Sequence, residues 1–380
     1  MRVVDQPSAV RSLLLLSLLA AMAGGLHRDA APVQRPLRHE AYVWQHRWGP
    51  AMASAIASRP GELSALRVLG LHWGADGGAP KATDVNLRAL AAAGPITLVA
   101  RIEGARLPTA LTLGPLVTLA QRWRAAGVQV RGVEVDHDCA TAALPAYTRW
   151  LRSQRPLVAD ALQVEVALAV TALPTWLDDP ASVRALSASV DRVTLQVHTI
   201  AAPTIYDAES ALAAARAWAG ASDRPFWIAL PTYRARLRHG DIVGVEPAAV
   251  AQTLQALRTA PIEGLRGAVW FRLGYSGDDD AWPAVTLAAL IRGEDVRGEV
   301  LVSLRRAGPE LWDIVAAAHG NAPGPVPALL RFDGRVTALQ GANGCRGEGR
   351  GLRCPQELRI PVGQERVLGY VRGQEVRRGG

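Results

Sequence analysis

Lysine is all but missing from this chain: Lys81 is its one lysine among 42 basic residues, and the rest are arginine. Those arginines are scattered rather than gathered into a patch. The formal charge of +8 therefore lacks the clustered basic footprint of a nucleic-acid-binding chain. Cysteine is down to three, too few for a disulfide-scaffolded fold, and neither Cys139 nor the Cys345/Cys354 pair sits in zinc-ligand spacing. No Gly-rich phosphate loop follows an early strand, which removes the mark of a dinucleotide-binding open sheet. Long apolar stretches are also scarce. The run from Leu13 to Ala23 is too short to span a bilayer comfortably.

What is present at the N-terminus explains that run. Arg2 and Arg11 precede it, and the small residues "AMA" at 21–23 follow it, so residues 1–23 read as a secretory signal peptide and 24–40 as a polar, Pro-containing linker. The expected location is periplasmic or secreted, with an uncleaved N-terminal anchor as the alternative. In such an oxidising compartment Cys345 and Cys354, which bracket the Gly-rich "CRGEGRGLRC", are expected to form a disulfide. Cys139 is left free, as a buried apolar residue or a thiol at the mouth of a site.

Beyond the linker, apolar and β-branched runs recur at 41–44, 66–73, 96–104, 130–138, 162–173, 192–199, 226–234 and 267–274. Helix-like stretches fill the gaps, among them 113–127, 144–154, 209–220 and 246–260. Eight strand candidates alternating with helices over 41–295 have the count and length of a (β/α)8 TIM barrel, an α/β fold. Past 295 the period changes to two at 299–304, 327–332 and 357–362, between Gly, Pro and Asn turns, so 296–380 reads as a small all-β, sandwich-like module.

A barrel of this kind carries its chemistry at the C-terminal ends of its strands. Those ends hold Trp44, His72, Trp73, Arg101, Glu103, Gln196, His198, Tyr233, Arg234, Trp270 and Arg272, more polar and aromatic side chains than packing requires. Flat rings stack on the apolar faces of sugars while carboxylates and arginines bind their hydroxyls, so these residues are the expected substrate-binding set. The fourth strand ends in "GVEVDHD", where Glu134, Asp136 and Asp138 alternate onto one face and His137 points to the other. Three acids on one face need an open cleft and a nearby cation, Arg101 or Arg272, to offset their repulsion. A metal-dependent hydrolase built from Asp136, Asp138 and His137 is disfavoured because His137 faces away, and no metal or cofactor is expected.

"GVEVDHD" resembles the fourth-strand signature D-G-x-D-x-D-x-E of the chitinase-like barrels of glycoside hydrolase family 18. In that alignment Arg131 takes the first Asp, Gly132 matches the Gly, Glu134 takes the second Asp, Asp136 matches the third, and Asp138 stands where the family carries its catalytic Glu. "FWIALPTYR" is similar to the family's seventh-strand segment through Pro231, Tyr233 and Arg234, and "GAVWFRLGYSGDD" to its eighth, with Trp270 as the subsite floor. The segments "YVWQHRW", "VDHDCATAALPAYTRWL" and "VTALPTWL" resemble a bacterial family of secreted barrels known as domain of unknown function 3142.

The resemblance implies an exported glycoside hydrolase acting on a cell-envelope or extracellular polysaccharide, N-acetylhexosamine among its sugars. Asp138 would be the acid, Asp136 its partner and Glu134 the deepest of the three. The competing expectation is a catalytically inactive barrel that binds carbohydrate or a partner protein, because Asp at 138 is one methylene shorter than Glu. Partners would be saccharides, with no nucleic acid and no stable membrane span after signal cleavage.

Overall fold

The computed structural model describes residues 36–107, 111–198, 204–236, 242–278, 280–356 and 358–379. The expected signal peptide and residues 24–35 of the expected linker lie outside the described residues. Within them, eight parallel strands form the barrel: β1 (Arg38–Val43), β2 (Leu63–Trp73), β3 (Pro95–Ile102), β4 (Gln129–His137), β5 (Val166–Ala172), β6 (Arg192–Gln196), β7 (Phe226–Pro231) and β8 (Leu265–Phe271). Each is followed by a helix: α1 (Pro50–Ala57), α2 (Leu87–Ala91), α3 (Gly114–Ala125), α4 (Leu144–Leu162), α5 (Pro180–Ser187), α6 (Ala208–Ala221), α7 (Pro247–Thr259) and α8 (Ala284–Arg292). The strands pair in the order β1-β8-β7-β6-β5-β4-β3-β2, and β1 also pairs with β2, which closes the barrel.

Two of the expected boundaries move. The first strand already includes Arg38, His39 and Glu40, which had been read as linker, and the fifth begins at Val166 because α4 continues through Leu162.

Local chemistry sets the helix starts. Asn86, Asp179 and Asp207 accept backbone N–H bonds from Ala89, Ser182 and Ser210, capping α2, α5 and α6. Proline opens α1, α3, α4 and α7, where its missing N–H leaves no bond unmade.

Strand alternation then makes two interiors. Outward residues such as Leu66, Val68, Val133, Val135, Val170 and Ile228 pack against Leu116, Tyr147, Leu151, Trp218 and Leu254 of the helices. Inward residues Tyr42, Val99, Trp227, Ala229 and Val269 fill the barrel axis. Gly267 is there because its neighbour's ring needs the room: a Cβ would collide with the Trp227 indole and the Arg38 carbonyl.

The remaining chain is an antiparallel all-β module with its own core, which includes Val302, Ile314, Leu330, Phe332, Leu352, Leu368 and Val371. Its strands are β9 (Gly298–Gly308), β10 (Leu311–Gly320), β11 (Leu329–Gly341), β12 (Arg346–Glu348), β13 (Gly351–Arg353) and β14 (Glu365–Arg378), ordered β9-β10-β14-β11-β13-β12. A disulfide joins Cys345 to Cys354 across the β12–β13 hairpin. The longest strand, β14, had not been expected. Its Gly369 and Gly373 mark places where β11 crosses so closely that a Cβ would strike the Gln340 and Arg335 carbonyls.

Candidate functional site

The floor of the barrel is polar and closed. Arg67 on β2, fully buried, donates from Nε to Glu40 Oε2 at 2.7 Å and from Nη1 to Glu134 and to Thr194 Oγ1. Tyr42 donates its hydroxyl to Glu134 Oε1 at 2.6 Å, and Arg192 donates to Glu40 Oε1 at 3.1 Å. Both guanidinium groups stack on the Trp227 ring, at 5.5 Å for Arg67 and 4.9 Å for Arg192. Two cations thus face two anions in a desolvated space. Glu134, grouped with the acids of the cleft from its spacing, belongs to this floor: Tyr42 and Arg67 occupy its oxygens, and no substrate reaches it.

Above the floor stands the pair that does face the mouth. Arg101, at the end of β3, forks between the two aspartates, donating from Nη1 to Asp136 Oδ2 and from Nη2 to Asp138 Oδ2, both at 2.8 Å. Asp136 is buried and also accepts from Thr171 Oγ1 at 2.5 Å, whereas the Asp138 side chain is 40 % exposed. Burial, reinforced by the Asp138 charge, pushes the Asp136 carboxyl above the usual carboxylate range against the pull of Arg101 and Thr171. Of the two cations expected to offset the acids, Arg101 does so. Arg272 does not, because it is clamped in a two-point pair with Asp278.

Aromatic side chains line one side of the mouth. Phe271 on β8 lies 5.2 Å from Trp44 and 5.6 Å from both Tyr42 and Tyr233, centroid to centroid, with His198 stacked on it at 5.7 Å. Trp44 and Tyr233 are half-buried, so each ring keeps some contact with solvent. His198 bonds through Nδ1 to the Ala229 carbonyl, and burial pulls its pKa down to about 4, so the ring is neutral at ordinary pH. Gln196 lies half-buried, two residues beyond the inward Thr194 on the same strand. At the end of the neighbouring β2, His72 Nε2 pairs with Glu103 Oε1 at 3.0 Å, and the exposed His46 ring stands edge-on to His72.

Two of the expected binding residues are elsewhere. Trp73 and Trp270 are buried against the helices, and Trp270 donates its indole N–H to His39 Nδ1 at 3.3 Å. Alternation decides this: a strand residue next to inward His72 or inward Phe271 must face outward. The ring at the site on the eighth strand is therefore Phe271, which the sequence reading passed over in favour of the larger neighbour. Arg234 is exposed and paired with Asp280. His137 points outward, as its parity required, with Nδ1 3.2 Å from the Ile102 carbonyl. Sequence reasoning also missed Arg67, Arg192 and Glu40. The available signal was a lone charge inside an otherwise apolar strand.

A family model described as "Domain of unknown function (DUF3142)" matches residues 92–246, in keeping with the resemblance read from the sequence. No curated protein matches the chain. Among solved structures, the spore cortex-lytic enzyme SleL of Bacillus megaterium QM B1551 aligns at 11 % identity and a TM-score of 0.50, over 70 % of this chain and 75 % of that one. SleL of Bacillus cereus gives 11 % and 0.50, over 70 % and 76 %. A GH18 chitinase from Pseudoalteromonas aurantia aligns at 12 % identity with a TM-score of 0.44, over 67 % and 97 %. What this chain shares with the SleL structures is the barrel fold.

Proposed function

We propose that this chain is an exported glycoside hydrolase that acts on a polysaccharide of the cell envelope or its surroundings, N-acetylhexosamine-containing chains included. The observation that carries the reading is the forked Arg101, which holds an inner and an outer carboxylate at the end of β4 beside a ring-lined mouth. Two carboxyl groups in different surroundings are what glycoside hydrolysis requires, one to give a proton to the leaving oxygen and one to stabilise the charge that develops at the sugar. Asp138 is the group that reaches substrate. Asp136, held by Thr171 and Arg101, orients the sugar substituent or shares the proton from behind. The name of the SleL proteins, cortex-lytic enzymes, supports an envelope glycan as substrate.

A second reading rests on the same fork. In the free protein the guanidinium pairs with Asp138, and an ion pair favours the ionised carboxylate over the protonated acid, as suits a barrel that binds sugar and does not cleave it.

Incubating the purified protein with a panel of cell-wall and exopolysaccharide oligosaccharides, with products read by mass, separates the two. Cleavage of a panel member that falls by about 10²–10⁴ in Asp138→Asn, with affinity retained, establishes the hydrolase. Binding without cleavage across the panel establishes the binder.

A further inference from the structure

Beyond the mouth, the barrel and the β module enclose a groove of about 1010 Å³. One wall is α1 with the residue that follows it, which present Ala51, Ser54, Ala55 and Ser58, none longer than a hydroxymethyl group. The other is the module, through Pro323, Pro355 and Pro361. Tyr233 lines this groove and also belongs to the ring cluster of the mouth, where its ring stands edge-on to His198, 5.8 Å away. Groove and ring-lined mouth therefore share a residue.

The wall beside Tyr233 is held by main-chain bonds. Arg234 N–H donates to the Asp280 carbonyl at 2.9 Å, and Trp282 N–H to the Thr232 carbonyl at 2.8 Å. Among the described residues two of the groove's arginines are already neutralised, Arg234 by Asp280 and Arg359 by Glu246 across the barrel–module boundary. Arg366, half-buried on β14, has no ion pair or side-chain hydrogen bond to another described residue. The module behind it carries thirteen Arg against eight Asp or Glu, five of the chain's eight net positive charges.

We propose that this groove holds the continuation of a linear saccharide chain whose other end lies over Asp136 and Asp138, and that Arg366 receives a carboxylate carried by that chain. The proposal rests on the glycan reading of the carboxylate site and adds that the substrate is long and acidic. Its volume is at the top of the range for a small-molecule site and takes several sugar rings rather than one. Walls of flat rings, prolines and small side chains suit the broad faces of sugars. Among the described residues Arg366 is the groove arginine with no ion pair, which leaves its guanidinium free to receive a carboxylate.

Isothermal titration with two oligosaccharide ladders tests this on the full mature chain: hyaluronan fragments, with one carboxylate per disaccharide, and neutral chitin fragments, each from two to ten sugars. Affinity should climb by roughly tenfold or more from the short to the long hyaluronan fragments. Arg366→Gln should remove about tenfold of that climb and weaken its salt dependence, the worth of one charge-assisted hydrogen bond. Ala55→Trp, which fills the groove from an already half-exposed position, should flatten the climb altogether. Equal affinity for short and long fragments overturns the groove while leaving the carboxylate site standing. Neutral fragments gaining as much with length as acidic ones overturns the role of Arg366. A length-dependent gain without any cleavage keeps the groove and sinks only the hydrolase.

Discussion

Replacing Arg67 by Met keeps the aliphatic stem and removes the charge at the centre of the barrel. Glu40 retains Arg192, but Glu134, fully buried, is left with the Tyr42 hydroxyl alone. Breaking a buried pair on one side costs about 3–5 kcal/mol, because the remaining charge has neither water nor partner. Glu134 escapes part of that cost by taking up a proton, toward which burial already pushes it. In the variant its folded pKa therefore stands far above the unfolded value, so the penalty is small in acid and grows as pH rises toward the folded pKa. Moving from pH 7 to pH 5 should shrink it by up to about 2.7 kcal/mol, two pH units' worth. Urea denaturation of wild type, Arg67→Met and the double variant Arg67→Met/Glu134→Gln at both pH values measures each quantity, and the double variant should recover most of the loss at pH 7. A penalty below about 1 kcal/mol at pH 7, or one independent of pH, would refute the view that these charges hold each other in a dry floor.

Three further outcomes are expected. His39 accepts from the Trp270 indole, and burial lowers its pKa to about 4; the unfolded chain therefore binds the extra proton first, and stability should fall as pH drops from about 6.5 to 4. His39→Gln should flatten that part of the denaturation profile, and an unchanged slope would count against it. Thiol titration of the native protein should find no fast-reacting group, since Cys139 is buried with its pKa raised to about 11 and the other two cysteines are bonded. Denaturation without reductant should release one thiol. Phe271→Ala should weaken oligosaccharide binding by about tenfold through loss of the ring cluster, whereas Trp270→Phe should lower stability and leave affinity alone, both readable from one calorimetric series.

The barrel was legible because its signal is repetitive: each of the eight strands is a short apolar run, and each gap is long enough for a helix. The pair Asp136 and Asp138 and the cation Arg101 were legible for a related reason, since charges at the end of an apolar strand stand out. Which member of an adjacent pair faces the axis was harder to read. Parity along β2 is shifted by the irregularity between Leu69 and Leu71, so His72 and not Trp73 is inward, and size drew attention to Trp270 over Phe271. Arg67 pairs with Glu40 and Glu134 across distances of 27 and 67 residues, and no window of sequence contains them together. The module was partly hidden because charged residues and glycines interrupt the apolar positions of its longest strand, which β10 and β11 flank.

The barrel is stacked in storeys that share no side chain. The lower one, Glu40, Arg67, Glu134 and Arg192, sums to zero charge and is roofed by the Trp227 and Tyr42 rings; the upper one is Asp136, Asp138 and Arg101. The upper acids take their hydrogen bonds from Arg101 and Thr171 and none from the floor. Reactivity at the rim is then free to be rewritten by substitution, in evolution or at the bench, without touching what keeps the cylinder upright.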